Sequence, residues 1–389
     1  MTRPRILMVA ATPSMIRSFN MRNLAILQDL GCDVEVATNT ESTGEMSREA
    51  YDEFRAALAA INVPCHHIAF ERGAGSLQGA RDVVRSLREL QRARRFDILH
   101  THQPAASALS RFALRGRVRR ILYTAHGFHF MKGGPRRNWL IYYPLERSLS
   151  RFTDVLLTVN EEDESLARRQ MHATKVVRIP GVGVDCSRFS TPSPTTFAEA
   201  VRSDLGLGSD DHLLLSVGEL NGNKNHATVI RAVSLLRMKN LHYAICGTGS
   251  ERGHLLGLAG QLGIARQIHL QGFQSDIVPY LAAADIAISV SLREGLGVFG
   301  LEAMASGLPL VGSAVRGIQD YMDAGRSGYL VPNPLEPEQV AKGIKAILNS
   351  AAHDRAEIEV HNRSLALRFD KSVVDSIMRA TYAEAIGNA

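Results

Sequence analysis

The chain has 389 residues, of which 45% are hydrophobic and 22% are charged. This balance is typical of a globular protein with full cores, and the length favours two domains over one or three. The four cysteines are scattered without a CxxC or zinc spacing, which argues against a disulfide framework and suits a reducing compartment. No apolar run approaches the ~18–20 residues of a transmembrane helix, so none is predicted.

Positive charge is concentrated in the first half of the chain. Residues 1–180 contain 27 lysines and arginines against 18 acidic residues, whereas the remainder contains 18 against 21. The whole chain has a formal net charge of +6. A basic half indicates contact with a polyanion, for which nucleic acid and an anionic membrane surface are both candidates.

Short apolar strands alternate with helical patterns along the chain, as is typical of parallel α/β sheets. The strand candidates, in chain order, are residues 5–11, 33–39, 97–102, 120–126, 154–160, 212–218, 242–249, 268–273, 285–291 and 308–313. The sequence therefore predicts an α/β protein with two doubly wound parallel sheets of about five strands each.

A segment rich in Gly, Pro, Ser and Thr lies between the two sets of strands, at residues 179–197, and is interpreted as an interdomain linker. We therefore expect a first domain at 1–185 and a second domain at 186–371. The last helical pattern, within 372–389, has no following strand and is expected to cross back onto the first domain. Ligands of such sheets bind beyond the carboxyl ends of the strands, where functional residues are expected.

Arginine-rich helical patterns account for the basic half. One helix face in residues 80–95 is basic, with arginines at Arg81, Arg85, Arg88, Arg92 and Arg95. Residues 111–120 add five arginines, and residues 138–149 place the only tryptophan beside two tyrosines and aliphatic residues, as in an interfacial helix. A solvated helix face and a packed core helix are the alternatives. Since no nucleic-acid-binding motif accompanies the arginines, an anionic lipid surface is favoured.

Four histidines lie at neighbouring strand ends of the first half: His100, His102, His126 and His129. Residues two apart share a strand face, so the side chains of His100 and His102 can converge. Zinc coordination is one interpretation, but no carboxylate pattern accompanies these histidines. A structural role for His100 is favoured, and no metal is predicted.

In the second half, residues 216–226 (SVGELNGNKNH) read as a strand, a Gly- and Asn-rich loop and a helix that starts near Asn225. The free amides of the helix N-terminus and the charge of Lys224 form a reasonable diphosphate site, although the spacing is not that of a P-loop. A plain strand-to-helix turn is an equal alternative. Residues 246–252 (CGTGSER) are a second Gly-rich strand end, for which a lone GxG is a weak signal.

Residues 291–311 (SLREGLGVFGLEAMASGLPLV) place Glu294 in a Gly-rich loop and Glu302 in a helix that begins around Val298–Phe299. If both glutamates were helical they would be ~12 Å apart along the axis. Glycosidase carboxyl pairs lie ~5–9.5 Å apart, so hydroxyl binding suits these two glutamates better than acid–base catalysis.

The stretch EGLGVFGLEAMASGLPLV resembles the E-x7-E signature of the retaining glycosyltransferases of family four, which have the GT-B fold. Other segments follow in the order of that family: IPGVGVD, VGELNGNKNH, CGTGS and LQGF. The stretches HTHQP and YTAHGFHFMKG resemble a bacterial subgroup that builds polysaccharide repeat units. The resemblance implies two Rossmann-like domains facing a central cleft, with the acceptor on the first domain and the nucleotide-sugar on the second.

The resemblance also implies roles for individual residues. Glu294 would bind hydroxyls of the transferred sugar, Glu302 the ribose, and Lys224 the leaving diphosphate, while the nucleobase would rest near Phe273. His126 would face the transferred sugar, so the expected catalytic residues are His126 and Glu294. The donor-binding set is Gly218, Glu219, Lys224, Gly247, Gly249, Phe273, Gly295, Leu296, Gly297, Val298, Phe299 and Glu302. No cofactor is expected, because cationic side chains and helix dipoles serve in place of a metal.

One position departs from the family pattern. Glu219 stands where the family commonly has an arginine that pairs with the lysine on the diphosphate, and Asn221 and Asn225 are then the expected neutral donors. The first loop also lacks the Gly-Gly that is often found there in the family. Arg17, Phe19 and His129 are the residues expected to bind the acceptor.

These features predict a metal-independent retaining transferase that moves a hexose or N-acetylhexosamine from a nucleotide-sugar, with UDP as the expected nucleotide. The expected acceptor is a lipid-diphosphate-linked glycan, and the expected location is the cytoplasmic face of the cell membrane. A sugar-nucleotide epimerase of the same fold and a catalytically silent membrane-bound partner are the alternatives. The donor sugar, the linkage and the oligomeric state are not specified by these motifs.

Overall fold

The structure, a computed structural model, describes residues 3–42, 46–71, 75–191 and 195–387. The chain forms two compact units. The first extends to Val182 and takes in the residues from Ser372 onward, and the second extends from Gly183 to Lys371. The second unit begins at this point because Val184 donates its backbone N–H to Phe369 and pairs with Asp370.

Each unit is built on one parallel sheet. In the described residues of the first unit the strands are β1 (Arg5–Val9), β2 (Asp33–Thr38), β3 (Cys65–His67), β4 (Ile98–His102), β5 (Arg120–Ala125), β6 (Val155–Thr158) and β7 (Lys175–Arg178). In those of the second unit they are β8 (His212–Val217), β9 (Leu241–Cys246), β10 (Ile268–Gly272), β11 (Ile286–Ser289), β12 (Leu310–Ser313) and β13 (Gly328–Val331). The orders are β3-β2-β1-β4-β5-β6-β7 and β10-β9-β8-β11-β12-β13.

Helices cover both faces of each sheet. Those before residue 182 are α1 (Pro13–Phe19), α2 (Met21–Asp29), α3 (Arg48–Ala60), α4 (Leu77–Arg94), α5 (Pro104–Leu114), α6 (Arg136–Leu149) and α7 (Glu161–Gln170). The later ones are α8 (Cys186–Ser190), α9 (Thr195–Asp204), α10 (His226–Leu236), α11 (Arg252–Gln261), α12 (Val278–Ala283), α13 (Val298–Ala305), α14 (Pro337–Leu348), α15 (Ala352–Ala366) and α16 (Lys371–Gly387). No helix within the described ranges is long and apolar enough to cross a membrane.

The doubly wound α/β fold class predicted from the sequence is confirmed, but the expected number of about five strands per sheet is too low. The strands that the sequence did not predict are β3, β7 and β13, and each is the edge strand of its sheet. They have three or four residues and are largely half-buried or exposed. A strand of three or four residues is too short to show a recognisable periodic pattern, so the sequence does not reveal these strands.

Two segments differ from their sequence interpretation. Residues 179–197 are not all linker, because α8 lies within them and buries Cys186 and Phe189 in the core of the second unit. In α6 the aromatic residues do not form an exposed interfacial face. Trp139 donates its indole N–H to the carbonyl of Met131 at 3.0 Å and packs against Phe130, so the tryptophan serves the interior of the first unit.

A buried ion pair fixes α6 against the rest of the first unit. Arg111 of α5 is fully buried and donates to the Glu146 carboxylate of α6 at 2.7 Å. The Arg111 guanidinium also lies 4.3 Å from the ring centre of Tyr123 in β5, and the Tyr123 hydroxyl donates to Glu146 at 3.4 Å. The packing of α5, α6 and β5 therefore depends on one buried, desolvated ion pair.

We expect Glu146→Leu to lower the free energy of unfolding by about 3–5 kcal/mol, because it leaves the Arg111 charge buried without its carboxylate. The double variant Arg111→Met/Glu146→Leu should recover most of that loss. Urea denaturation followed by circular dichroism measures both. The matched control is Glu384→Leu, which breaks the exposed pair with Lys175 and should cost at most about 1 kcal/mol. Equal losses for the two single variants would contradict the argument.

Candidate functional site

The loops after β8 and β11 meet at the carboxyl edge of the second sheet, because these two strands are neighbours. The Lys224 ammonium donates to the Glu294 carboxylate at 2.7 Å, across 70 residues of sequence. Both side chains are largely buried, at 28% and 14% exposure. The structure thus joins the residue predicted to bind diphosphate and the residue predicted to bind sugar hydroxyls in one ion pair.

Main-chain hydrogen bonds hold these two loops together. The Leu292 N–H donates to the carbonyl of Asn223 at 2.8 Å, and the Asn223 side chain donates to the carbonyl of Arg293 at 2.9 Å. Asn225, the N-cap of α10, donates its side-chain amide to the carbonyls of Val290 and Pro334. Asn225 is buried and both amide hydrogens are used, so the expectation that it is a neutral donor to phosphate is wrong.

Glu219 is exposed and does not take Lys224 as its ion-pair partner. Its carboxylate accepts a hydrogen bond from the Asn221 side chain at 2.7 Å, while Lys224 binds Glu294. The acidic side chain therefore lies at the outer side of the loop with an amide partner. Of the predicted diphosphate site in residues 216–226, Lys224 is the cationic side chain at the carboxyl edge of the second sheet.

Gly247 and Gly249 let two strand ends approach each other closely. A Cβ atom at Gly247 would fall on the carbonyl oxygen of Gly218, and one at Gly249 would fall on that of Leu220. The Leu220 N–H donates to the carbonyl of Thr248 at 2.8 Å across this contact. Both glycines are therefore required for backbone packing beside the loop.

Two residues that the sequence did not indicate, Tyr321 and Gly317, support the loop before α13. Its N-cap, Gly297, has a left-handed backbone (φ 86°) and offers no side chain to cap the first amides. The Tyr321 hydroxyl donates to the carbonyl of Gly297 at 3.1 Å, and a Cβ at Gly300 would collide with that hydroxyl. Gly317 allows its own loop to pack on Gly295. Neither Tyr321 nor Gly317 lies in a periodic or motif-like stretch, so no sequence signal pointed to them.

Glu302 lies in the second turn of α13 and is mostly buried. Burial raises the pKa of its carboxyl to about 7, although nearby Arg188 acts to lower it. Arg188 belongs to the segment interpreted as linker, and it pairs with Asp276 at 2.8 Å. A carboxyl group with this pKa changes charge near neutral pH and has room to accept hydroxyl hydrogens.

The other predicted donor residues differ in exposure. Phe273, directly after β10, is 75% exposed and presents a free ring face, whereas Leu296 and Phe299 are buried in the core. Leu296 and Phe299 therefore contribute packing and backbone to the site. Val298 begins α13 and is half-buried.

Three of the four predicted histidines, His100, His102 and His126, come together at the ends of β4 and β5. The rings of His100 and His102 are 4.3 Å apart, and those of His102 and His126 are 5.4 Å apart. His100 uses both ring nitrogens, toward the Tyr382 hydroxyl at 2.8 Å and the Thr124 hydroxyl at 2.9 Å. Within the described ranges, no set of three histidine, cysteine or acidic side chains is arranged to hold a metal ion.

The histidines of this cluster are uncharged at neutral pH. Burial lowers the pKa of His100 to about 3 and that of His126 to about 4, and it lowers the pKa of His102 well below the usual value. His126 is therefore a neutral imidazole across the physiological range.

The residues expected to bind the acceptor lie in different surroundings. Phe19 lies beside His126, with ring centres 6.0 Å apart, and both line a small cavity of about 20 Å³. Arg17 points to an exposed ion pair with Glu53 at 2.9 Å. His129 packs its ring 5.0 Å from that of Tyr142 in α6.

Two family models match the chain, one on each unit. Residues 17–181 match the model described as "Glycosyl transferase 4-like domain", and residues 197–362 match "Glycosyl transferases group 1". A curated relative, the putative glycosyltransferase EpsD of Bacillus subtilis (strain 168), is 34% identical over 333 residues, covering 84% of this chain and 83% of that protein. The chain belongs to the family-four glycosyltransferases with the GT-B fold.

Two further comparisons describe relatives of this glycosyltransferase. It is 27% identical over 254 residues to the Escherichia coli UDP-Gal:alpha-D-GlcNAc-diphosphoundecaprenol alpha-1,3-galactosyltransferase, covering 63% of this chain and 65% of that protein. The crystal structure of Anabaena HepE in complex with UDP and glucose superposes with a TM-score of 0.77 over all of both chains, at 19% identity. This structural likeness establishes the GT-B fold alone.

We expect Glu302→Gln to raise the melting temperature of the glycosyltransferase by a few degrees at pH 8. The folded pKa of about 7 exceeds the ordinary value of 4.5, so the stability that the protonated carboxyl provides is full below pH 4.5 and is lost as the pH rises to 7. The gain should therefore shrink toward zero near pH 4.5. Thermal melts at both pH values measure it, with the exposed Glu199→Gln as the control. A gain that is independent of pH would contradict the assignment.

Proposed function

We propose that this glycosyltransferase moves a hexose or N-acetylhexosamine from a UDP-linked donor to a lipid-diphosphate-linked glycan, with retention at the anomeric carbon and without a metal ion. The ion pair between Lys224 and Glu294 carries the proposal, because it sets a cation and a hydroxyl-binding carboxylate side by side at a strand end. A sugar diphosphate offers both chemical partners on adjacent groups.

Charge balance supports a site that needs no metal. The Lys224 ammonium has three hydrogens, and one is given to Glu294, so two can go to diphosphate oxygens. The N-termini of α10 and α13 add the positive ends of helix dipoles and amides without a side-chain cap. Together these groups stabilise the negative charge that develops on the leaving diphosphate.

The carboxylates support retention without a protein nucleophile. Glu294 is held by Lys224, and Glu302 lies in the second turn of the following helix, so neither is arranged as a nucleophile and acid pair across one bond. The leaving phosphate oxygen is then the base that takes the acceptor proton on the same face of the sugar. In this proposal Glu294 orients sugar hydroxyls, Glu302 binds the ribose and the exposed ring of Phe273 meets the base.

The choice of donor and acceptor class draws on relatives. The Escherichia coli relative is named for UDP-Gal and for a diphosphoundecaprenol-linked sugar, and HepE was crystallised with UDP and glucose. Both names point to UDP as the nucleotide, and the first points to a lipid diphosphate as the acceptor anchor. The proposal places this chain in the synthesis of a cell-surface polysaccharide.

We expect Glu294→Ala to lower kcat/KM for sugar transfer by about 100-fold or more, since it removes a charged contact to the reacting sugar and frees Lys224 from its partner. A panel of UDP-, GDP- and ADP-linked sugars is first screened by thermal shift. Release of the nucleotide is then measured with a prenyl-diphosphate-linked N-acetylhexosamine as acceptor. The control is Glu384→Ala, which breaks the exposed ion pair between Lys175 and Glu384 in the first unit. This variant should transfer sugar at the wild-type rate.

Three outcomes would contradict this proposal. A fully active Glu294→Ala variant would overturn the role of the ion pair. Isomerisation of the donor without any acceptor would indicate a sugar-nucleotide epimerase. Failure of every nucleotide-sugar to shift the melting temperature of the folded protein would indicate a catalytically silent partner.

We further propose that the first unit binds an anionic membrane surface through α6, at the inner face of the cell membrane. Leu140, Ile141 and Leu145 are 77%, 61% and 46% exposed and form one apolar stripe on this helix. Exposed arginines flank the stripe: Arg136, Arg137, Arg147 and Arg151. An apolar stripe between cations is complementary to lipid tails beneath anionic headgroups. The Arg111–Glu146 ion pair holds α6 in the orientation that exposes this stripe.

We expect Leu140→Gln/Ile141→Gln to weaken binding to phosphatidylglycerol vesicles by about tenfold, because two partly inserted aliphatic side chains are lost. Co-sedimentation at rising salt measures it, and binding of the unaltered protein should also weaken as salt screens the arginines. Leu235→Gln/Leu256→Gln, two exposed leucines of the second unit, is the matched control. Equal binding by the α6 variant and the control would overturn the assignment.

A further inference from the structure

His102 has an unusual position for a polar side chain. It ends β4, is 1% exposed, and is bonded through Nδ1 to Nε2 of His126 at 3.2 Å. Its other nitrogen, Nε2, is buried and has no hydrogen-bond partner among the residues that the structure describes. A buried polar atom without a partner is costly, so its presence beside a predicted catalytic residue calls for an explanation.

We infer that His102 is a positioning residue that fixes the tautomer of His126, so that His126 carries its proton on Nδ1. The hydrogen bond between the two rings requires a proton on one of its nitrogens and a lone pair on the other. The partnerless nitrogen of His102 decides between the two arrangements.

The two arrangements differ in what is left buried. If His126 donated to His102, the single proton of His102 would lie on Nε2 as a buried N–H without an acceptor. If His102 donates from Nδ1, only a lone pair is left without a partner at Nε2. Orphaned buried N–H groups are rarer in proteins than acceptors with an unused lone pair, which favours the second arrangement. The proton of His126 must then lie on Nδ1.

This argument requires that each ring carries one proton, and burial ensures it by lowering the pKa of both histidines. His100 does not disturb the pair, because its two nitrogens are occupied by the hydroxyls of Tyr382 and Thr124. Hydroxyls can donate or accept, so the tautomer of His100 is free to adapt. The direction of the bond is therefore set by His102 alone.

The consequence for chemistry rests on the proposed function. A neutral His126 with its proton on Nδ1 is a hydrogen-bond donor at that atom, suited to a hydroxyl oxygen of the transferred sugar or to an anionic oxygen of the donor's diphosphate. With the other tautomer it would be an acceptor there, and the contact to an anionic oxygen would become repulsive. His102 acts through His126 and need not touch the substrate.

The test begins with the tautomers themselves. The whole protein is labelled with ¹⁵N at the histidine rings, and long-range proton–nitrogen spectra distinguish protonated from bare nitrogens. Spectra of His102→Asn and His126→Gln assign the two rings. We expect a protonated Nδ1 on both His102 and His126. A proton on Nε2 of His126 would overturn the inference.

Two variants of His102 then separate positioning from structure. His102→Asn keeps an N–H donor near the place of Nδ1 and should preserve both the His126 tautomer and a kcat within about fivefold of wild type. His102→Phe keeps an aromatic side chain but removes the donor, so no hydrogen bond holds the proton of His126 on Nδ1. The fraction of His126 protonated on Nδ1 should then fall, and kcat should fall about tenfold or more with little change in donor KM. A His102→Phe variant with the wild-type tautomer and kcat would contradict the role.

A matched control exists in the second unit. His242 and His269 form the same Nδ1···Nε2 bond, at 3.0 Å, near the amino ends of β9 and β10. His269→Phe should leave kcat and the His126 spectrum unchanged. If the unaltered protein transferred no sugar, the proposed function would fail, while the spectra would still decide the tautomer. If His102→Phe did not fold, the wild-type spectrum would decide it alone.

Discussion

Parallel pairing of every strand is the constraint on which both candidate sites depend. Because all strands of a sheet run in the same direction, their carboxyl ends share one edge, and residues far apart in sequence meet there. Lys224 and Glu294 are brought together because β8 and β11 are neighbours. In the same way the pairing of β4 with β5 sets His102 beside His126. These two side-chain pairs result from the order of the strands and are not contained in any local sequence motif.

The candidate donor edge is kept accessible at some cost to stability. Gly297, the N-cap of α13, has no side chain to cap the first amides, and the Tyr321 hydroxyl binds its carbonyl. Burial raises the pKa of the Glu302 carboxyl, so the folded protein without a ligand disfavours its charged form. Uncapped amides and a poorly solvated carboxyl are unfavourable without a ligand, and a polar ligand relieves both. Such costs are typical of binding sites rather than of structural turns.

The sequence predicted several parts of the second unit correctly. The starts of α10 at His226 and of α13 at Val298 follow from local signals, namely Gly- and Asn-rich loops after apolar strands. Other expectations failed where contacts are long-range. Asn225 was expected to face phosphate, but its amide binds the carbonyls of Val290 and Pro334, which lie 65 and 109 residues away. In α6 the composition suggested an aromatic interfacial face, yet Trp139 packs inward and aliphatic residues are exposed, because the Arg111–Glu146 pair sets the rotation of the helix.

The sequence by itself determined the fold class, the family and the stretches in which the candidate site residues lie, because these depend on local periodicity and short motifs. The tertiary structure decided which of those residues become partners. It paired Lys224 with Glu294 instead of Glu219, placed Tyr321 under Gly297, and linked His102 to His126. It also added the edge strands β3, β7 and β13, whose short segments form strands by pairing with a neighbour. The physical reason is the same in each case: strand order and burial are properties of the whole sheet, and no single stretch of the chain encodes them.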